Sequence, residues 1–143
     1  MSTYIDTSAL AKRYIAERGS AEFETFVHAE GADCVICQLA TVEFESVLRR
    51  LQRERLIDSS YAMQVRRDFA SDMASALWSM QAFDAACFAR ANELLRGLDS
   101  PLAALDALHL ASAVEFGCES LATGDQQLAR AAAECGLTVH SFV

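Results

Sequence analysis

Short apolar runs alternate along the chain with longer segments in which apolar and polar residues are mixed. The short runs predict five β-strands, at residues 2–6, 33–37, 77–82, 119–123 and 138–142, of which 77–82 is the weakest. The longer segments predict seven helices, at residues 8–17, 20–30, 40–54, 59–76, 85–96, 101–116 and 125–135. Short apolar strands separated by helices are typical of a parallel sheet that helices cover on both faces.

Turn-forming residues mark several of these boundaries. A glycine follows five of the predicted helices, as is common at helix C-termini: Gly19, Gly31, Gly97, Gly117 and Gly136. Ser100 and Pro101 predict the cap and first position of the helix at 101–116. No internal repeat or linker-like tract interrupts the pattern, so residues 1–143 are expected to form one domain.

Composition narrows the class of protein. An odd number of cysteines (five) without repeated spacing does not indicate a secreted disulfide framework. Cys34 and Cys37 form a C-x-x-C pair, but it lies in an apolar strand and lacks a second pair, so buried cysteines are favoured over a zinc or redox site. No signal peptide and no apolar run of about 18 residues is visible, and a cytoplasmic location is expected.

The formal net charge of −8 disfavours simple electrostatic capture of nucleic acid. Arginines nevertheless cluster at 49–55 and at 66–67. An acidic protein can still bind phosphate groups when a metal ion neutralises its acidic centre and arginines surround it.

Four acidic residues are predicted to meet at one edge of the sheet. Asp6 ends the first strand, Asp125 follows the fourth, and Glu43 lies in the first turns of the helix after the second. The helix at 101–116 must begin at the same edge, because it leads back to the start of the next strand, and it carries Asp106. Four carboxylates without His or Cys partners would repel one another and are suited to magnesium or manganese.

Asp106 is the most informative of the four acids. It is the only formally charged residue between Pro101 and Val114, and Leu102, Leu105 and Leu110 share its face. A lone carboxylate on an apolar surface is costly unless it is paired or binds a metal, although an acid near a helix N-terminus can also simply face solvent.

The other acids have alternative explanations when taken singly. Asp6 and Asp125 could be helix N-caps, and Glu45 competes with Glu43, although it projects about 200° away around the helix. Arg50, seven residues after Glu43 on the same side of the helix, is a candidate for contacting a substrate phosphate.

Four segments together resemble the PIN-domain family, and more narrowly the VapC-type toxin ribonucleases: Tyr4 to Leu10, Val42-Glu43, Asp106 to Ala111 and Thr123 to Asp125. The resemblance extends over essentially the whole chain. It implies a three-layer α/β/α sandwich with a five-stranded parallel sheet. It also implies a magnesium- or manganese-dependent endoribonuclease, often a homodimer, that a VapB-like antitoxin inhibits.

Carried over by position, the resemblance makes Asp6, Glu43, Asp106 and Asp125 the catalytic and metal-binding acids, with Thr7 and Thr123 as polar supports. His109, one turn after Asp106, could contact substrate or support the site, but a packed, hydrogen-bonded helix residue is the favoured interpretation.

Other functions remain open at this point. A phosphoaspartate enzyme is disfavoured because Lys12, the only lysine, lies on the first helix and not at a late strand end. Nucleotide-binding modules and serine hydrolases lack their glycine-rich motifs here. A housekeeping RNA-processing nuclease and a non-catalytic metal- or RNA-binding module both stay possible.

Overall fold

The computed structural model describes all 143 residues and contains five strands and seven helices. In chain order the elements are β1 (Ser2–Ile5), α1 (Thr7–Tyr14), α2 (Ser20–Val27), β2 (Asp33–Cys37), α3 (Gln38–Arg53), α4 (Ser59–Ala74), β3 (Ser79–Gln81), α5 (Ala85–Gly97), α6 (Ala104–Glu115), β4 (Ser120–Thr123), α7 (Gln126–Glu134) and β5 (Thr138–Ser141). Every predicted strand and helix is present, including the weak strand at 77–82, which corresponds to β3.

All five strands are parallel and lie in the order β3-β2-β1-β4-β5. In the centre of the sheet, Tyr4 of β1 is opposite Val35 of β2 on one side and Leu121 of β4 on the other. The order reverses between β1 and β4, and ligands of open parallel sheets bind outside the carboxyl ends of the strands at such a point. Asp6 and Asp125 follow the two strands that flank the reversal.

Helices cover both faces of the sheet, which confirms the predicted α/β sandwich. Alternation along the strands sends Ile5 and Ile36 into a core with α1 to α4, where Phe23 and Trp78 are buried. Tyr4, Val35 and Leu121 point to the opposite face and pack against α6 and α7. Helix α5 packs on the outside of α6. The central strands β1, β2 and β4 are therefore buried on both faces, as is usual for parallel strands, whereas the edge strands β3 and β5 are partly exposed.

One predicted helix start is wrong. Helix α6 begins at Ala104 with Ala103 as its N-cap, and not at Pro101. Ser100 caps no helix, because its backbone N–H and hydroxyl both donate to the carboxylate of Glu134 on α7. Asp106 consequently lies in the first turn of α6, closer to the helix N-terminus than the sequence indicated.

Other helix boundaries differ by a few residues from the prediction. Helix α1 ends at Tyr14 because the chain turns sharply afterwards, with the Ser20 hydroxyl accepting from the Glu17 N–H and donating to the Ile15 carbonyl. Gly19, at a φ of +88°, allows this turn to pass directly against the Phe142 backbone. The turn brings Glu17 and Arg18 back toward the first helix.

The cysteines are all free, and the predicted burial of Cys34 and Cys37 is confirmed. The apolar residues of α4 and of the chain that follows it to residue 80 differ in burial: Val65 and Trp78 are buried in the core, whereas Tyr61 and Met63 are exposed. None of the seven helices combines the length and hydrophobicity needed to cross a bilayer.

Candidate active site

A cavity of about 570 Å³ opens at the carboxyl edge of the sheet, beside the point where the strand order reverses. Its walls include all four acids that the sequence singled out, Asp6, Glu43, Asp106 and Asp125. They come from four separate elements or loops and are as far as 119 positions apart in the chain, so only the topology brings them to one place.

Asp6 is almost completely buried, at 3% exposure, and neutral donors surround it. Its Oδ1 accepts from the Ala9 backbone N–H and the Ser8 hydroxyl, both at 2.8 Å, and its Oδ2 accepts from the Thr123 hydroxyl at 2.6 Å. Asp6 is thus the N-cap of α1 as well as a wall of the cavity. Burial raises its pKa, which the charge of His109 and the Thr123 hydrogen bond only partly oppose.

Asp125 is held in a comparable way on the other side of the strand reversal. Its Oδ1 caps α7 by accepting from the N–H groups of Gln127 and Leu128, and its own N–H donates to the Thr123 hydroxyl oxygen at 3.0 Å. The Thr123 hydroxyl therefore connects the two acids. The capping explanation that the sequence left open applies to both residues, but capping does not account for the shared cavity.

Asp106 differs from these two acids because no protein donor is hydrogen-bonded to its carboxylate. Burial raises its pKa to about 6, and the negative charges of Asp125 and Asp6 contribute to the rise. This dependence shows that the carboxylates are close enough to repel one another. A cation between them would remove the repulsion.

Glu43 is paired with a buried histidine. His109 is 2% exposed, and its Nε2 donates to the Glu43 Oε1, which also accepts from the Thr7 hydroxyl at 2.8 Å. Burial opposes the charged form of each partner, but the pair lowers the pKa of Glu43, and Cys37 together with Glu43 raises the pKa of His109 to about 10. The histidine is therefore a cation at neutral pH.

A hydrogen-bonded chain continues from His109 into the core. The His109 Nδ1 lies 2.7 Å from the Tyr4 hydroxyl oxygen, and the Tyr4 O–H donates to the Cys37 sulfur at 3.0 Å. This arrangement suits a doubly protonated imidazole, which donates from both nitrogens. Burial opposes ionisation of Cys37, yet the nearby His109 and the hydrogen bond from Tyr4 lower the pKa of its thiol. Tyr4, by contrast, has its pKa raised by burial and by Cys37.

Two side chains of permanent positive charge line the cavity. Arg50 lines the cavity with more than half of its side chain exposed. Lys12 is 8% exposed and donates to the Arg18 carbonyl and to Glu17.

The donor set fits a magnesium-type ion. The acids offer carboxylate oxygens, and the hydroxyls of Ser8 and Thr123 lie among them, whereas both nitrogens of His109 are already engaged. As the side chains stand, however, no group of three or more His, Cys, Asp or Glu residues is arranged so that it could hold a metal ion. Asp6, Glu43 and Asp125 turn instead toward hydrogen-bond donors, which lowers their mutual repulsion.

The structure decides between two glutamates that the sequence left as alternatives, Glu43 and Glu45. Glu43 lines the cavity, whereas the rival Glu45 lies outside it and forms an ion pair with Arg66 at 2.8 Å. The Thr7 hydroxyl donates to Glu43, and the Thr123 hydroxyl donates to Asp6 and accepts from the backbone N–H of Asp125.

Sequence reasoning underrated three residues of this site: His109, Ser8 and Lys12. His109 follows Asp106 by three positions and so lies on the same side of its helix, and this spacing was the available signal. Ser8 and Lys12 are four residues apart on α1, which places them together on the cavity wall. Nothing in the sequence showed that this wall faces the acids.

Comparisons with known proteins agree with this architecture. Residues 3–134 match the profile of the PIN domain. A search of curated protein sequences found no match.

Several solved structures share the fold. A chain of VapBC2 from Rickettsia felis, determined with a promoter DNA fragment, superposes with a TM-score of 0.69 at 16% identity over 100% of both chains. VapC20 from Mycobacterium tuberculosis, described as a toxin that cleaves the sarcin–ricin loop, gives 0.69 at 15% identity over 95% of this chain and 96% of that one. FitAcB from Neisseria gonorrhoeae gives 0.69 at 14% identity over 97% and 96%.

Identities this low establish the fold alone. The profile match is stronger, because it covers both strands of the reversal and all four acids of the cavity. On that basis the chain belongs to the PIN-domain family.

Proposed function

We propose that this protein is a magnesium- or manganese-dependent endoribonuclease that hydrolyses phosphodiester bonds at the cavity described above. The observation that carries the proposal is the convergence of Asp6, Glu43, Asp106 and Asp125 on one cavity at the strand reversal. Four carboxylates in one cleft with two flanking cations suit a divalent ion and a phosphate better than a neutral ligand.

Asp6, Asp106 and Asp125 would hold the ion, with Glu43 lining the same cavity. A bound divalent ion would stabilise the charge of the scissile phosphate and lower the pKa of an attacking water. Ser8 and Thr123 fix both oxygens of Asp6, so that its orientation changes little during the reaction. His109 and Thr7 fix Glu43 in the same sense.

We further propose that the protein is the toxin of a VapBC-type toxin–antitoxin pair and acts as a homodimer. Support comes from the similar folds of chains in the VapBC2 and FitAcB structures and of VapC20. In this proposal a VapB-like antitoxin binds the chain and blocks its activity. Growth arrest of bacteria on induced expression, absent with Asp6→Asn, is the expected sign of a toxin. Normal growth with an active nuclease would favour a housekeeping RNA-processing role.

The direct test is cleavage of a mixed RNA pool by the purified chain in magnesium or manganese, compared with EDTA. Wild type is expected to cut only with the metal. Asp6→Asn and Asp106→Asn should each lower the rate by about 10²-fold, since each removes a carboxylate that would hold the metal ion at the reacting phosphate.

The matched control is Glu45→Gln, which removes one carboxylate outside the cavity and should cut like wild type. Circular dichroism would verify that each variant is folded. If folded wild type does not cut RNA with either metal, or if the Asp6 and Asp106 variants cut as fast as wild type, the nuclease proposal is wrong and a binding module becomes the better account.

A further inference from the structure

The only lysine of the chain lies nearly buried in the wall of the acidic cavity. Lys12 is 8% exposed and lines the same space as Asp6 and Asp125. Lysine is among the residues that proteins bury least often, because its ammonium group loses hydration. Its position therefore calls for a reason beyond helix formation.

The contacts of the Lys12 ammonium group use only part of its hydrogen-bonding capacity. Lys12 Nζ donates to the Arg18 carbonyl at 2.6 Å and to Glu17 Oε1 at 3.3 Å. An ammonium group has three N–H donors, so these two contacts leave one. Glu17 is nearly half-exposed, so water screens much of its charge and the pair contributes little to stability.

The backbone beside Lys12 leaves room for the lysine side chain at Gly124. A Cβ atom on Gly124 would lie 2.7 Å from Lys12 Cε, 3.3 Å from its Nζ and 3.4 Å from the Ser8 hydroxyl oxygen. Any residue larger than glycine would push the ammonium group out of its place. Gly124 lies between Thr123 and Asp125, so the lysine passes directly beside the segment that presents two of the site residues.

The charges that line the cavity indicate what a lysine at this position could bind. Five acids line it (Asp6, Glu17, Glu43, Asp106 and Asp125), against Lys12, Arg50 and the buried His109, which is paired with Glu43. A phosphodiester entering the cavity would meet a net negative wall, except beside these cations and any bound metal ion. Arg50 is mostly exposed at the rim, whereas Lys12 is enclosed close to the acids, and a side chain that is already ordered loses less conformational entropy on binding.

We propose that Lys12 is a phosphate-binding residue of this site, which donates its remaining N–H to a non-bridging oxygen of the bound RNA backbone, and that Gly124 is required because it admits the lysine. This inference rests on the proposed function, since it assigns Lys12 to the substrate of the same cavity. In a purely structural role, Lys12 would only hold the turn at residues 15–19 against α1 through its bonds to Glu17 and the Arg18 carbonyl.

The experiment measures binding separately from cleavage. A fluorescently labelled mixed RNA pool is titrated with the full chain in calcium at several salt concentrations, and gel analysis verifies that the RNA remains intact. The variants are Lys12→Gln, Gly124→Ala and the double variant. Arg90→Gln is the matched control, because it removes one positive charge at an exposed ion pair outside the cavity.

Lys12→Gln is expected to weaken binding about tenfold, the usual effect of one charge-assisted hydrogen bond. It should also reduce the slope of log Kd against log salt by about 0.7, the value for one phosphate contact on a single strand. Gly124→Ala should reproduce both changes by displacing the lysine, and the double variant should be no weaker than Lys12→Gln alone. Arg90→Gln should leave both the affinity and the slope near wild type.

The opposite outcome is equally defined. If Lys12→Gln lowers the melting temperature but leaves affinity and salt slope like those of Arg90→Gln, the lysine is structural and the inference is wrong. If Gly124→Ala binds RNA normally while Lys12→Gln does not, Gly124 is not required to admit the lysine, and that part of the inference is wrong. Should wild type neither bind nor cut RNA, the proposed function fails and takes this inference with it, whereas cutting by wild type with unchanged binding by Lys12→Gln rejects the inference alone.

Discussion

Asp6 and Glu43 line one cavity and are held by different kinds of donor. Neutral groups alone donate directly to Asp6, namely two hydroxyls and a backbone N–H. Glu43 is bonded to the positively charged His109, with a threonine hydroxyl beside it. Neutral donors orient a carboxylate without cancelling its charge, whereas an imidazolium does both.

The difference divides the cavity into two regions. The Asp6 region, with Asp106 and Asp125, has no cation bonded directly to its carboxylates. Burial raises the pKa of Asp6 and Asp106, and at Asp106 the charges of Asp125 and Asp6 add to the rise, while the charge of His109 opposes it at both. The Glu43 region has its charge balanced within the protein and its pKa lowered. A divalent cation should therefore gain most from the Asp6 region, and His109 should contribute mainly by fixing Glu43.

The largest effect on stability is expected from His109→Ala, which removes the positive charge that balances Glu43. The variant leaves Glu43 and the Tyr4 hydroxyl without their partner in a mostly buried position. The free energy of unfolding should fall by about 3 kcal/mol at pH 6, as for other broken buried pairs. Urea denaturation measures this loss.

The pH dependence of the same variant sharpens the test. Because folding raises the pKa of His109 from 6.5 to about 10, its contribution is complete below pH 6.5 and is lost as the pH rises toward 10. The difference in stability between wild type and His109→Ala should shrink over that range. A difference that stays constant from pH 6 to 10 would mean that the histidine is neutral and Glu43 is not charge-balanced.

A smaller effect of opposite sign is expected from Asp106→Asn without divalent metal. The pKa of Asp106 is raised to about 6, so the protonated carboxyl favours folding at low pH and this favourable contribution is lost as the pH rises from about 4 to 6. The amide of the variant carries no charge, so it avoids both the cost of burying a carboxylate and the repulsion by Asp125 and Asp6. It should stabilise the protein at pH 7 by on the order of 1 kcal/mol, since the half-buried group is partly screened by solvent.

The check on Asp106→Asn is thermal or urea denaturation in EDTA at pH 4.5 and pH 7. The variant should be close to wild type at the lower pH and more stable at the higher one. Equal stability at pH 7 would show that the Asp6 region carries no repulsion.

The smallest effect is expected from Glu45→Gln. Its carboxylate is paired with the exposed Arg66 outside both regions, and surface ion pairs of this kind contribute little. The urea midpoint and the RNA cleavage rate should match wild type. A loss of cleavage comparable to that of Glu43→Gln would reverse the assignment of the two glutamates.

Much of the fold followed from the sequence because its strands are short apolar runs between helices. The five strands were found in order, and the common carboxyl edge of parallel strands was enough to bring Asp6, Glu43, Asp106 and Asp125 together. The start of α6 was misplaced because Ser100 and Pro101 have the residue types of a cap, while the competing Glu134 lies 34 positions away. Local patterns do not reveal such distant partners.

The same limitation explains what was missed within the site. Whether Glu43 or Glu45 faced the cavity depended on the rotation of α3, and the sequence offered only the helical angle between them. The partners of His109 are Glu43 and Tyr4, which lie 66 and 105 positions away. Lys12 seemed an ordinary helix residue because the gap at Gly124 arises from tertiary packing and not from α1 itself.

Manganese binding, followed by calorimetry and by the paramagnetic resonance of the free ion, tests the division of the cavity most directly. Wild type is expected to bind the ion, Asp6→Asn to bind it about 10- to 100-fold more weakly or not at all, and Glu45→Gln to bind it like wild type. If Asp6→Asn binds manganese as tightly as wild type, or if wild type binds none, the uncompensated charge of the Asp6 region does not serve a metal ion and the central claim of this account is contradicted.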